Sequence, residues 1–204
     1  MGNNIRILLL ALLLMPLKPV LAADLQAPQQ VLNEASIRFK ATLEDENMSK
    51  DFPVVFKNVT TIIEPFVNFE RISMLVLGKQ WKKATPEQRD EFTEAFKVKL
   101  IRTYARAFLE FKEWSIRYLP LRLADDAKKT IVKTEVLQPG IQPISVNYRM
   151  HLKKGRWLVY DIIIEGVSLV TNYRSSFNGQ VKKIGSLQKM IDKLHKNNVA
   201  ALAP

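Results

Sequence analysis

The period of the apolar residues changes twice along this chain, and those changes constrain its fold more than any single motif does. Up to about Phe111 large apolar side chains recur at every third or fourth position. From Trp114 to Ile164 they follow the two-residue period of a strand, and from Ser168 the helical period returns. A helix places residues i, i+3 and i+4 on one face, whereas a strand sends successive side chains to opposite faces. The pattern predicts helices, then one sheet, then helices again. In the α+β arrangement that follows, helices cover the apolar face of an antiparallel sheet.

Within that frame, Val31, Leu32, Ala35, Phe39 and Leu43 predict a first helix over 28–43, with Pro28 in its first turn. A second starts near Asp51-Phe52-Pro53 and closes before Pro65, and a short third is capped by Asn68 and ends at Gly78. Thr85-Pro86-Glu87-Gln88 is the clearest helix start, since Thr85 and Gln88 have capping-box spacing around a first-turn proline. The long helix after it carries Phe92, Phe96, Leu100, Tyr104, Phe108 and Phe111 on one face.

Trp114, Ile116 and Tyr118 alternate with Ser115 and Arg117, and 128–137 continues the strand character. Ile144, Val146, Tyr148, Met150 and Leu152 alternate with Ser145, Asn147, Arg149, His151 and Lys153, which predicts one wet face and places His151 in solvent. Lys154-Gly155 is a hairpin turn into Trp157–Ile164, apolar on both parities except for Asp161 and therefore read as a central strand. The sum is a meander of about four strands. Leu169, Val170, Tyr173, Phe177, Val181 and Ile184 then share a helix face, Ser186 caps a last helix over 187–194, and 197–204 reads as a frayed, disordered tail.

Arg6 and the apolar stretch from Ile7 to Leu17, ending in Val20-Leu21-Ala22, have the form of a signal peptide, residues 1–22, with cleavage after Ala22. The run falls short of the ~20 residues a spanning helix needs. Residues 23–196 are then one domain. The chain has no cysteine, hence no lipid-anchoring thiol and no disulfides. A leader without staples fits a bacterial periplasmic protein whose core is large enough to stand alone. The 31 basic and 20 acidic residues give a net charge of +11, and the leader holds only two of the cations. For an exported protein that charge favours membrane phosphates or acidic proteins over nucleic acid. The cations are scattered, as on an ordinary solvated surface.

Catalytic chemistry finds little support. There are two histidines, His151 and His195, with no second imidazole or carboxylate at metal-ligand spacing, so no metal is expected. No serine sits in a Gly-x-Ser-x-Gly elbow, and the seven glycines form no phosphate loop. Asp161 and Glu165, four residues apart on a strand, stand roughly 13 Å from each other, too far for a glycosidase pair. They read as structural, Asp161 paired with a cation and Glu165 accepting backbone donors at the strand end. The aromatic stripe reads first as core, because spacing does not reveal a hole.

Four segments carry a resemblance. Phe69-Glu70-Arg71 through Leu75-Val76-Leu77-Gly78, Trp81 with 84–89 (Ala-Thr-Pro-Glu-Gln-Arg), Trp157 with Val159-Tyr160-Asp161, and Glu165-Gly166-Val167-Ser168 together resemble, in that order, the MlaC family. These are periplasmic phospholipid-binding proteins of the Mla lipid-transport pathway, also called toluene-tolerance proteins. The resemblance implies a sheet and helices enclosing an elongated apolar pocket for acyl tails, with phospholipid as cargo, no cofactor and no catalysis. It also implies exchange with an outer-membrane lipoprotein–porin complex and with an inner-membrane ABC transporter bearing an MCE-domain subunit.

Apolar faces adjoining those segments nominate Leu75, Leu77, Phe96, Leu100, Tyr104, Tyr148, Trp157, Tyr160, Ile162, Val167, Leu169 and Tyr173 as lipid-binding residues. Two other readings stand beside the carrier. One is a hydrolase on a similar fold with His151 or Asp161 as base; the other is a basic adaptor with a solid core.

Overall fold

The computed structural model describes residues 25–44, 51–109 and 113–202. The expected leader, Phe111 and residues 203–204 lie outside the described residues. The elements are α1 (Ala27–Glu44), α2 (Phe52–Ile63), a 3₁₀ turn (Glu64–Phe66), α3 (Phe69–Leu77), α4 (Lys79–Lys83) and α5 (Pro86–Leu109). After them come β1 (Ser115–Tyr118), β2 (Lys129–Leu137), β3 (Ile144–Lys153), β4 (Arg156–Ile164), β5 (Val167–Ser168), α6 (Leu169–Ile184) and α7 (Leu187–Leu202).

Two predicted caps, at Asn68 and Thr85, hold atom by atom, and a third, at Ser168, emerges from the structure. The Asn68 side chain accepts from the Arg71 amide at 3.0 Å. Thr85 and Gln88 exchange side-chain-to-backbone bonds of 3.2 Å in both directions, closing the capping box of α5. Ser168 accepts from the Thr171 amide at 3.1 Å at the start of α6.

The sheet is an antiparallel meander in sequence order, with five strands rather than about four. The extra strand is a two-residue edge. Glu165 and Gly166 both take positive φ, 48° and 80°, giving the tight turn that folds Val167–Ser168 back onto β4. Further along β4, where β5 does not reach, Val67 and Asn68 cover the edge: Val67 bridges Val159, and the Asn68 amide donates to the Val159 carbonyl at 2.9 Å.

Strand β4 is irregular at its centre. Arg149 pairs with Asp161 while Met150 pairs with Val159, which leaves Tyr160 as the extra residue of a β-bulge. The bulge switches the inward parity, so Trp157 and Val159 face the same side of the sheet as Ile162 and Ile164. The run that reads as buried on both faces is thus buried mainly on one.

Two further expectations are corrected. Residues 197–202 continue α7 instead of fraying, held by buried Asn198, whose side chain donates to the Ala95 carbonyl of α5 at 2.7 Å. His151 is buried, not solvated. Its Nε2 lies 3.1 Å from the Asn68 side-chain amide, and its ring packs edge-on against Tyr160, because the start of α3 covers that part of the sheet's outer face.

Candidate functional site: an apolar pocket between sheet and helices

The helices do not close tightly on the sheet everywhere. At one end α3, α5, α6 and α7 form a solid core around Val76, Leu77, Phe92, Phe177, Met190 and Ile191. At the other, α1, α2, α3, α5 and the start of α6 stand off the inner face of β1–β4 and leave a cavity of about 250 Å³. That is many times the ~10–15 Å³ a single water requires. Its walls are almost wholly hydrocarbon and aromatic.

Seven of the twelve nominated residues line this cavity: Phe96, Leu100 and Tyr104 from α5, Tyr148 from β3, Ile162 from β4, and Leu169 and Tyr173 from α6. The other five do not. Leu77 is sealed in the solid helical core, with Leu75 packed beside it. Trp157 faces inward but packs with Leu32, Val132 and Met150 beyond the cavity. Tyr160 is the bulged residue, so it turns to the outer side, where the Arg71 guanidinium lies 4.7 Å from its ring centroid. Val167, on the edge strand after the tight turn, is 57% exposed.

The wall also contains residues the nominations passed over, among them Phe39 of α1, Ile63 of α2, Phe69 of α3, Trp114, Val136 and Val146. Part of that was readable. Trp114, Ile116 and Tyr118 share one parity in the sequence, as do Val136 with Val132 and Val146 with Tyr148, so the inner face could have been nominated whole.

The few polar groups on the wall are held neutral or already used. Burial pushes the phenols of Tyr104, Tyr148 and Tyr173 above the usual range, so they stay protonated. Asp161 is fully engaged: Arg149 donates at 3.1 Å, the Ser168 hydroxyl at 2.7 Å and the Val170 amide at 3.1 Å. It locks β4 to the first turn of α6. Glu165 accepts from the Ser145 amide. His151 does not reach the cavity. Among the described residues no three His, Asp or Glu side chains gather to hold a metal ion, and no helix is long and apolar enough to cross a membrane.

An antiparallel sheet roofed by helices, with an apolar cavity between the layers and its one wall carboxylate bonded internally, defines an α+β protein with an internal pocket for an apolar ligand. The profile of the MlaC protein family matches residues 33–196, and the chain belongs to that family. It is 29% identical to toluene tolerance protein ttg2D of Pseudomonas putida over 185 residues, covering 89% of this chain and 86% of that one. It is 27% identical over 136 residues to the intermembrane phospholipid transport system binding protein MlaC of Haemophilus influenzae, covering 65% of this chain and 63% of the other. Among solved structures, the phospholipid-binding protein of Ralstonia solanacearum in complex with a phospholipid superposes with a TM-score of 0.79 at 29% identity. The match covers 87% of this chain and all of that one.

Proposed function

We propose that this protein is a periplasmic phospholipid carrier that holds acyl chains in the pocket and shuttles lipid between outer-membrane and inner-membrane Mla complexes. The observation that carries the reading is the apolar cavity of about 250 Å³, in a chain whose fold matches that of a phospholipid-bound protein along most of its length. The leader-like N-terminus supports an exported location. The docking partners are an outer-membrane lipoprotein–porin complex and an inner-membrane ABC transporter with an MCE-domain subunit; phospholipid is cargo, not cofactor, and no reaction is catalysed.

The energetics suit a reversible carrier. Each acyl CH₂ removed from water gains about 0.8 kcal/mol, so release into water is prohibitive. A bilayer already buries the same chains, which leaves the net exchange free energy small once a partner supplies a path without water.

Native mass spectrometry of the mature protein, purified from cells without added lipid, tests the reading. A stoichiometric mass excess that resolves on extraction to diacyl phospholipid is expected. A bare polypeptide mass, together with no uptake from liposomes, would overturn it.

A further inference from the structure

Beside the pocket, though not on its wall, two cations of α5 approach a wall tyrosine. Tyr104 of α5 and Tyr173 of α6 line the cavity with their hydroxyls side by side. Lys99 and Arg102 stand three residues apart on α5, close enough to face one another along the helix. The Lys99 Nζ lies 5.9 Å from the Tyr173 ring centroid, and Arg102 is near enough to Tyr173 to oppose the upward push of burial on its phenol.

Both cations are half-buried, and neither has an ion-pair partner among the described residues. The Arg102 Nε is buried without an acceptor. Lys97, on the same helix, shows the ordinary alternative: it is held by Glu64 and Glu94 at 2.8 Å each. Burial and the Arg102 charge instead push the Lys99 ammonium below its usual range. Half-buried like charges with an unused donor are costly unless an anion joins them.

The donor set fits one anion in particular. A guanidinium offers paired N–H bonds to phosphate, an ammonium offers a point charge, and of the two neutral phenols, one already donating to the other, the second adds an O–H donor. We propose that Lys99, Arg102 and the hydroxyls of Tyr104 and Tyr173 form a binding site for the phosphate of the lipid whose acyl chains occupy the pocket. The proposal rests on the carrier reading and adds a headgroup contact to it. Free inorganic phosphate has the same chemistry, so the test must separate the two sources.

The experiment is displacement of a fluorescent fatty acid from the full mature protein by phosphatidylglycerol or by a diacylglycerol with the same chains. Wild type should prefer the phospholipid by tenfold or more. The Lys99→Gln/Arg102→Gln protein should lose that preference while binding diacylglycerol as before, which also reports an intact pocket. A charge-matched Lys82→Gln/Lys83→Gln protein, altered at exposed α4 positions, should keep the preference and so exclude a general field effect. An unchanged preference in the Lys99/Arg102 variant would overturn the headgroup site and leave the carrier standing. Failure of wild type to bind either lipid would overturn both. Isothermal titration that finds inorganic phosphate bound by wild type and not by the variant, with no phospholipid preference in either, would give the site to the free ion.

Discussion

Helix α5 passes through two regions built from the same kinds of residue and opposite in packing. In its first half Phe92 and Phe96 meet Phe177 at ring-centroid distances of 5.3 Å each, edge to face, and Phe92 is fully buried. In its second half Leu100 and Tyr104 border open space. The apolar stripe in the sequence runs through both without a break. Whether a stripe fills or frames a hole is decided by what stands across from it. Opposite Phe92 are α6 and α7, close enough to interdigitate. Opposite Leu100 and Tyr104 the cavity intervenes before the inner face of β3 and β4.

Substitutions along α5 test that contrast most directly. Phe92→Ala should cost ~3–5 kcal/mol in urea unfolding, the range for emptying a packed aromatic site. Leu100→Glu, two turns further on, should give a protein that folds by circular dichroism and purifies without lipid. The contrast between the two halves fails if the folded Leu100→Glu protein keeps its cargo.

Adding volume sharpens the same comparison at smaller amplitude. Ala95 and Ala105 are both 1% exposed on α5, but Ala95 belongs to the solid core and Ala105 borders the pocket. Ala95→Leu should destabilise by ~1–3 kcal/mol, because a close-packed site has no room for extra methylenes. Ala105→Leu should change the melting temperature little and reduce the amount of lipid extracted per protein. Equal destabilisation at both sites would mean that the pocket end is as tightly packed as the core.

Much of this was legible in the sequence because it is local. Caps at Asn68 and Thr85, the Lys154-Gly155 turn, and the roles of Asp161 and Glu165 depend on residues near in sequence or on unavoidable hydrogen-bonding needs. What was not legible depends on one-residue irregularities and on distant coverage. A continuous apolar run from Trp157 to Ile164 predicts burial on both faces. A bulge at Tyr160 gives the same run with one inner face, and that single residue separates Trp157 and Ile162, which face inward, from Tyr160, which does not. Residues 197–202 read as a frayed tail, yet Asn198 finds its acceptor on α5, 103 residues away in the chain. The pocket itself follows from how far apart two layers sit, which no pattern within either layer records.

His151 tests the far side of the sheet, where the smallest effect is expected. Strand parity puts it on the wet face, and the start of α3 covers it. Burial lowers its affinity for a proton, and the charges of Arg71 on α3, Lys153 on β3 and Lys129 on β2 lower it further. Glu70 lies near Lys153 at 3.5 Å and offsets part of that charge. With the folded pKa below the ordinary 6.5, the unfolded chain binds the proton more readily. The stability that neutral His151 provides is therefore complete above about pH 7 and is lost as pH falls through 6.5 toward the folded value. Unfolding free energy should decline between pH 7.5 and 5.5, above the range where most carboxylates titrate. His151→Gln, which keeps an acceptor for the Asn68 amide and cannot titrate, should flatten that slope and leave lipid content unchanged, since the ring lies outside the pocket. A slope of equal size in the Gln variant would assign the pH dependence to other groups. A loss of lipid would show that the α3 start and the pocket wall, joined through Val67 and Phe69, move together.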